Sequence, residues 1–144
     1  MKVLFDSSVL VPAVVDFLPG HPDSSRELQR VHSGEITGVV AAHGLAETWA
    51  VATGIPVHPP IPAGEVLHFL KEGVLSRFEV VSLDAKDYEA VLEAATRNGV
   101  RGRVVFDMLH VAAARKADVD QILTYDVRDF RRAAPDLADR IRTP

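Results

Sequence analysis

The stretch QILTYDVRDF, residues 121–130, has the form of a buried strand that ends in acidic residues. Residues 121–125 are short, apolar and rich in β-favouring types, and Asp126 and Asp129 follow directly. Two carboxylates beside a buried strand repel each other unless they point into water or share a cation. The stretch therefore raises the question of which other charged groups arrive at the same place.

Strands and helices alternate along the rest of the chain. The apolar runs predict strands at 2–6, 36–42, 79–83 and 121–125. Between them, periodicity and capping residues predict helices at 9–15, 24–33, 43–54, 65–78, 84–99 and 106–118, and a short helix at 127–132. This alternation predicts one α/β domain over residues 1–144, with a parallel sheet of four or five strands between two layers of helices.

Composition excludes several classes of site. The chain has 144 residues and no cysteine, so disulfides, thiol nucleophiles and cysteine-based zinc sites are absent. Its net charge of −4 argues against binding nucleic acid by overall charge, though not against a local basic patch. No apolar run approaches the roughly 20 residues of a membrane span, and Asp6 comes too early for a secretion signal. We therefore expect a cytoplasmic protein with no membrane partner.

Four acids from distant segments are expected at one edge of the sheet. Asp6 ends the first strand, Asp126 follows the last, and Glu47 and Asp107 lie on helices near strand or loop ends. Ligands of open α/β sheets bind at the carboxyl ends of the strands. A divalent cation would offset the repulsion, and oxygen ligands favour Mg²⁺ or Mn²⁺ over zinc. Such an ion beside a phosphodiester activates water and offsets phosphate charge, so convergence would indicate metal-assisted phosphodiester hydrolysis.

Four motifs in order carry a resemblance to a known family. They are DSSVL at 6–10, Ala46-Glu47 at 46–47, FDMLHVAAA at 106–114 and ILTYDVRDF at 122–130. Together they resemble the PIN-domain ribonucleases, and among these the VapC-type toxins of bacterial toxin–antitoxin pairs. The resemblance covers essentially the whole chain and implies a PIN-like three-layer α/β/α fold.

The resemblance also implies a function and a set of site residues. It implies an endoribonuclease that uses Mg²⁺ or Mn²⁺, held by a catalytic cluster of Asp6, Glu47, Asp107 and Asp126. The expected partners are an RNA substrate, a cognate antitoxin and a second copy of the chain in a homodimer, with promoter DNA bound only through the antitoxin. Ser8 matches a small polar position after the first acid.

Thr124 matches the hydroxyl that precedes the fourth acid, and we expect Ser8 and Thr124 to contact the substrate. Many VapC-type members have asparagine at the position of Asp126 and an acid three residues later, whereas this chain has acids at both positions. We favour Asp126 as the ligand because it is nearer the strand end. Asp129 either shares that role or supports the turn.

The loop at 101–103 precedes Asp107 and carries two arginines. Arg101 and Arg103 are predicted to contact RNA phosphates, because the planar guanidinium group suits phosphate oxygens. The alternative is a solvated loop. Trp49 stands two residues after Glu47 on the same helix, which predicts core or interface packing rather than base stacking.

Two histidines have helical same-face spacing to the acids. His43 lies four residues before Glu47, and His110 lies three after Asp107. A diiron site would need two Glu-x-x-His motifs on a helical bundle, and the chain has none. His110 is therefore predicted to be a partly buried neighbour of the site, and His43 a residue at a helix start.

Other interpretations compete with the nuclease. Asp6, Asp107 and Asp126 each stand where a helix begins, so each has an alternative role as an N-cap. A non-catalytic PIN-like module that binds RNA or protein is the main functional alternative. Receiver and haloacid-dehalogenase domains fit poorly, because the first strand carries a single acid followed by Ser7 and Ser8, and no lysine follows the last strand.

Overall fold

The fold is a five-stranded parallel sheet between two layers of helices. The computed structural model describes all 144 residues. The sheet has the order β3-β2-β1-β4-β5, and every pair is parallel. The strands are β1 Lys2–Phe5, β2 Thr37–Ala41, β3 Glu79–Val81, β4 Gln121–Leu123 and β5 Ile141–Arg142. The predicted α/β class and parallel sheet are confirmed.

The central strand β1 is apolar because both of its faces are covered. Val3, Leu4 and Phe5 have no solvent exposure. Leu4 pairs with Val39 of β2 on one side and with Ile122 of β4 on the other. The strands β2 and β3 therefore lie on one side of β1, and the later strands β4 and β5 lie on the other. This reversal of strand order opens a crevice at the carboxyl ends of β1 and β4.

Seven α-helices cover the two faces. They are α1 Ser7–Val14, α2 His21–His32, α3 Ala42–Thr53, α4 Ala63–His68, α5 Ala85–Arg97, α6 Val104–Lys116 and α7 Val127–Ala133. One apolar core includes Phe5, Leu10 and Phe78, and the other includes Leu4 and Phe130. Adjacent residues of β1 point into opposite cores, which is the three-layer arrangement. None of the helices combines the length and apolar character needed to cross a membrane.

Most helix starts differ from the predicted bounds by one to three residues, and two of the differences change a helix cap. The second helix begins at His21 rather than at 24, with Gly20 as its N-cap and a proline in its first turn. Proline is favoured there because its missing N–H has no intrahelical partner. The helix that carries Asp107 begins at Val104, so Asp107 lies in the first turn and not at the cap.

Two further differences arise from hydrogen-bonding patterns that the spacing of apolar residues does not indicate. The helix predicted at 65–78 is α4 followed by a π-helical segment, Phe69–Leu75. Over two turns the apolar pattern does not separate these two hydrogen-bonding patterns. The strand β5 has only two residues and was not located from the sequence. It exists because Ile141 pairs with Ile122 of β4.

Candidate active site

The carboxyl ends of β1 and β4 open into an acidic cleft of about 360 Å³. The four predicted acids all line this cleft, and Asp129 lines it with them. The lining residues are Asp6, Ser7, Ser8, Val11, Glu47, Val51, Arg103, Val104, Phe106, Asp107, Asp126 and Asp129. The convergence expected from the strand order is therefore present in the folded chain.

Asp6 is fixed by two hydroxyl groups. Its side chain is buried, and its Oδ2 accepts hydrogen bonds from Ser8 Oγ at 2.6 Å and Thr124 Oγ1 at 2.9 Å. Its backbone N–H continues the sheet by donating to Leu123 O at 3.0 Å. The two hydroxyls set the direction of the carboxylate, so Ser8 and Thr124 act on Asp6 in this structure.

Asp126 is joined to the same network through its backbone. Its N–H donates to Thr124 Oγ1 at 2.9 Å, so one buried threonine links both acids. Burial, and then the negative charges of Asp6 and Asp129, raise the pKa of Asp126 above its ordinary value. The carboxylate of Asp126 itself is exposed and faces the cleft.

The N-cap alternative is wrong for Asp6 and Asp126. Both stand at N-cap positions, yet neither side chain makes a capping hydrogen bond. Asp84 shows what a capping aspartate does in this chain, because it forms a capping box with Asp87 through two hydrogen bonds of 2.9 Å. The carboxylates of Asp6 and Asp126 are directed at the cleft instead.

The raised pKa of Asp107 shows that its charged form is destabilised in the cleft. Burial, and then the negative charges of Asp6 and Asp126, raise its pKa from 3.8 to about 6. At neutral pH the cluster therefore holds carboxylates that repel one another and have no lysine or arginine partner. Excess negative charge and an oxygen donor set fit a hard divalent cation such as Mg²⁺ or Mn²⁺.

His110 lies directly beneath the acids, which corrects the prediction of a partly buried neighbour. It has no solvent exposure, and its Nε2 lies 3.1 Å from Glu47 Oε1 and 3.2 Å from Asp6 Oδ1. Burial alone would lower the pKa of His110, but the hydrogen bond to Glu47 and the nearby negative charges outweigh it and raise the pKa. The helical spacing of His110 from Asp107 was the sequence signal for this position.

Space for the imidazole of His110 comes from a glycine. A Cβ on Gly44 would lie 3.0 Å from His110 Cε1, a contact tighter than side chains ordinarily make. Any larger residue at this position of α3 would push the imidazole away from Glu47. The glycine thus allows α3 and α6 to bring their functional groups together.

His43 lies at the start of α3, as predicted, and it packs against His110. The ring centroids are 4.3 Å apart, and His43 Nε2 lies 3.3 Å from Glu47 Oε1. Burial, and then the positive charge of His110, lower the pKa of His43 to about 4. Its imidazole is therefore neutral at pH 7.

The arginines of the 101–103 loop differ in position. Arg103 lines the cleft, with its guanidinium carbon 5.7 Å from the ring centroid of Phe106. Arg101 is exposed and does not line the cleft. Trp49 is 44% exposed, so the prediction of core packing is wrong and interface packing stays a prediction.

The sequence profile of the PIN domain matches residues 3–135. The chain belongs to the PIN domain family. No curated protein matches its sequence. This PIN domain is similar in structure to VapC20 of Mycobacterium tuberculosis, a toxin that cleaves the sarcin-ricin loop. The TM-score is 0.70 at 20% identity, over 92% of this chain and 95% of that one.

Two complexes contain similar folds. VapBC2 of Rickettsia felis, bound to a DNA fragment from its promoter, has a TM-score of 0.61 at 17% identity, over 92% of each chain. FitAcB of Neisseria gonorrhoeae has a TM-score of 0.60 at 18% identity, over 91% of this chain and 92% of that one. These similarities confirm the PIN-like α/β/α fold.

Proposed function

We propose that this PIN domain is a metal-dependent endoribonuclease and the toxin of a type II toxin–antitoxin pair. The observation that carries the proposal is the convergence of Asp6, Glu47, Asp107 and Asp126 in one cleft. None of these four forms an ion pair with a lysine or an arginine, and the only basic side chains paired with Asp6 and Glu47 are histidines. A non-catalytic module has no need of a complete set of acids whose burial and mutual repulsion raise the pKa values of Asp107 and Asp126.

The acids are assigned to metal binding. Asp6, Glu47, Asp107 and Asp126 hold Mg²⁺ or Mn²⁺, and Asp129 is placed to assist Asp126. A divalent ion there supplies positive charge beside the scissile phosphate and lowers the pKa of a water molecule.

The polar side chains around the acids are assigned to positioning and substrate contact. Ser8 and Thr124 hold Asp6 in the direction the metal requires, and their contact with substrate stays a prediction. Arg103 in the cleft and Arg101 on the adjoining loop bind RNA phosphates on either side of the cut. An RNA substrate places the activity in the cytoplasm.

The partners follow from the toxin assignment. Both VapBC2 and FitAB form complexes with DNA, which supports a cognate antitoxin that carries promoter binding. Phe17 and Trp49 are exposed apolar side chains, at 57% and 44%, of the kind that a protein partner covers. Tyr88 and Leu92 are exposed on α5 and offer apolar surface for a homodimer.

The direct test is cleavage of cellular RNA by the purified chain with Mg²⁺, with Mn²⁺ and with EDTA. We expect discrete fragments with either metal and none with EDTA. Asp107→Asn removes one charged ligand while nearly preserving size, and should abolish cleavage. Asp16→Asn is the matched control, because Asp16 is exposed and makes no side-chain hydrogen bond.

Two outcomes would count against the nuclease. Cleavage that survives in EDTA, or in Asp107→Asn, would point to a contaminating nuclease or to another site. A folded chain that binds RNA but never cuts it would favour the non-catalytic module. For the toxin role, expression of wild type but not Asp107→Asn should arrest bacterial growth, and co-expression of the cognate antitoxin should relieve the arrest.

A further inference from the structure

Two histidines approach the same oxygen of Glu47. His43 Nε2 lies 3.3 Å from Glu47 Oε1, and His110 Nε2 lies 3.1 Å from it. The three donor atoms lie within 4.8 Å of one another. The other oxygen, Oε2, lies 3.4 Å from Ser7 Oγ on the cleft side. One carboxylate therefore faces the imidazoles with one oxygen and the acidic cleft with the other.

The imidazole of His43 lacks a partner that a buried nitrogen ordinarily has. Its Nε2 is buried and makes no hydrogen bond, although Glu47 Oε1 is 3.3 Å away. Leaving such an atom unsatisfied costs about 1–3 kcal/mol. A neutral imidazole with an unused nitrogen beside a carboxylate is the form in which histidine binds metal. The Nε2 of His110 is hydrogen-bonded to Glu47, and a metal ion bound there would displace its proton to solvent.

The distances from Glu47 to the two imidazoles match those of a tetrahedral metal site. A zinc ion bonded at about 2.0–2.2 Å to nitrogen and oxygen places neighbouring donors about 3.3–3.6 Å apart. The two nitrogen–oxygen distances, 3.3 Å and 3.1 Å, agree with this to within a few tenths of an ångström. Asp6 Oδ1, at 3.2 Å from His110 Nε2, offers a fourth donor at the same spacing.

We infer that His43, Glu47 and His110 form a second metal site, specific for transition-metal ions of the zinc class. Two imidazole nitrogens and one carboxylate oxygen favour zinc, cobalt or nickel over magnesium, which prefers oxygen ligands and water. This site differs from the all-oxygen cluster of Asp107 and Asp126 by its two imidazole nitrogens, and the two sites share Glu47 and, through its Oδ1, Asp6.

Sharing Glu47 gives the second site a consequence for activity. Zinc bound between the histidines would engage Glu47 Oε1 and neutralise part of the negative charge that Glu47 offers the Mg²⁺ cluster through Oε2. Zinc-class ions therefore inhibit the cleavage that Mg²⁺ supports. The inhibition rests on the proposed nuclease function, whereas zinc binding itself does not.

The test is calorimetric titration of the metal-free chain with Zn²⁺ in a large excess of Mg²⁺, without RNA. The excess of Mg²⁺ keeps the all-oxygen cluster filled with the harder ion. We expect one Zn²⁺ per chain, and His43→Gln should weaken that binding at least tenfold. His68→Gln is the matched control, because His68 is an exposed helical histidine outside the cluster. This variant should bind Zn²⁺ with the same affinity as wild type.

Asp107→Asn separates the two sites. It removes a ligand of the oxygen cluster and leaves the histidine donors intact, so Zn²⁺ affinity should stay within about threefold of wild type. Equal Zn²⁺ affinity in His43→Gln and wild type, together with a loss in Asp107→Asn, would place zinc in the acidic cluster and overturn the inference. Absence of Zn²⁺ binding to wild type would overturn it as well.

A spectroscopic measurement on wild type does not depend on the folding of a variant. Co²⁺ replacing Zn²⁺ should give the intense visible absorption of a four-coordinate ion, and only weak six-coordinate bands would contradict the inference. In the cleavage assay, the Zn²⁺ concentration for half inhibition should rise at least tenfold in His43→Gln, relative to the zinc-free rate of that variant. If the chain proves inactive on RNA, the titration and the Co²⁺ spectrum still decide the site.

Discussion

Replacing Asp107 by asparagine should stabilise the metal-free protein while destroying its activity. The pKa of Asp107 is raised from 3.8 to about 6, roughly two units, and each unit corresponds to about 1.36 kcal/mol. The full shift would be about 3 kcal/mol, but Asp107 is only half-buried, so solvent screening reduces the gain to about 1 kcal/mol. For a chain of this length the melting temperature should then rise by about 3 °C.

The sign follows from the proton balance of Asp107. Between pH of about 4 and about 6, the folded chain keeps the proton on Asp107 and the unfolded chain has released it. Unfolding therefore releases a proton, and wild-type stability falls as pH rises through this window. Asp107→Asn has no carboxyl group at this position and does not lose stability in this window. Its gain in free energy of unfolding over wild type should be full above pH 7 and absent below pH 4.

The assay is thermal unfolding in EDTA and in saturating Mg²⁺, with Asp16→Asn as the control for loss of one negative charge. In EDTA at pH 8, Asp107→Asn should melt above wild type and Asp16→Asn should not. In Mg²⁺ the order should reverse, because a ligand at 100 times its Kd stabilises wild type by about 2.7 kcal/mol. Equal melting temperatures of wild type and Asp107→Asn in EDTA would refute the conclusion that burial and the neighbouring acids destabilise the charged form of Asp107.

The remaining predictions concern the cleft and its support. Asp126→Asn should reduce RNA cleavage at least 100-fold and Asp129→Asn by about tenfold, since outer partners of metal ligands contribute about 10–100-fold; equal losses in single-turnover assays would mean that the two acids share the role. At subsaturating Mg²⁺, cleavage should rise with pH through about 6 as Asp107 loses its proton, and a flat profile would contradict this. Thr124→Val should lower the free energy of unfolding by about 2 kcal/mol in urea titrations, because it leaves buried polar partners unsatisfied. The exposed Thr96→Val should change it by less than about 0.5 kcal/mol, and similar losses in both would disprove a special role for Thr124.

The buried strands and a helix cap could be predicted from the local pattern of the sequence. The strands around Leu4 and Ile122 are continuous apolar runs because parallel strands between two helical layers are covered on both faces. The helix predicted at 84–99 is present, and Asp84 caps it through a complete capping box. These features depend on neighbours within a few residues, so the linear sequence contains the information.

Element ends were harder to locate where distant partners set them. The strand at 141–142 owes its existence to pairing with β4, and nothing in its own residues signals a strand. The helix α6 begins two residues before the predicted 106. Asp107 therefore lies in the first turn of the helix and not at its cap. In both cases tertiary contact outweighs local propensity.

The sequence by itself determined the order of strands and acids, and hence which pole of the sheet would be acidic, because parallel strands end at one edge. Only the tertiary structure decided that His110 is fully buried against Glu47, a residue 63 positions away. It likewise decided that Arg103 and not Arg101 enters the cleft. The physical reason is that side-chain contact between separate helices depends on how they pack across the sheet, and no local periodicity encodes that distance.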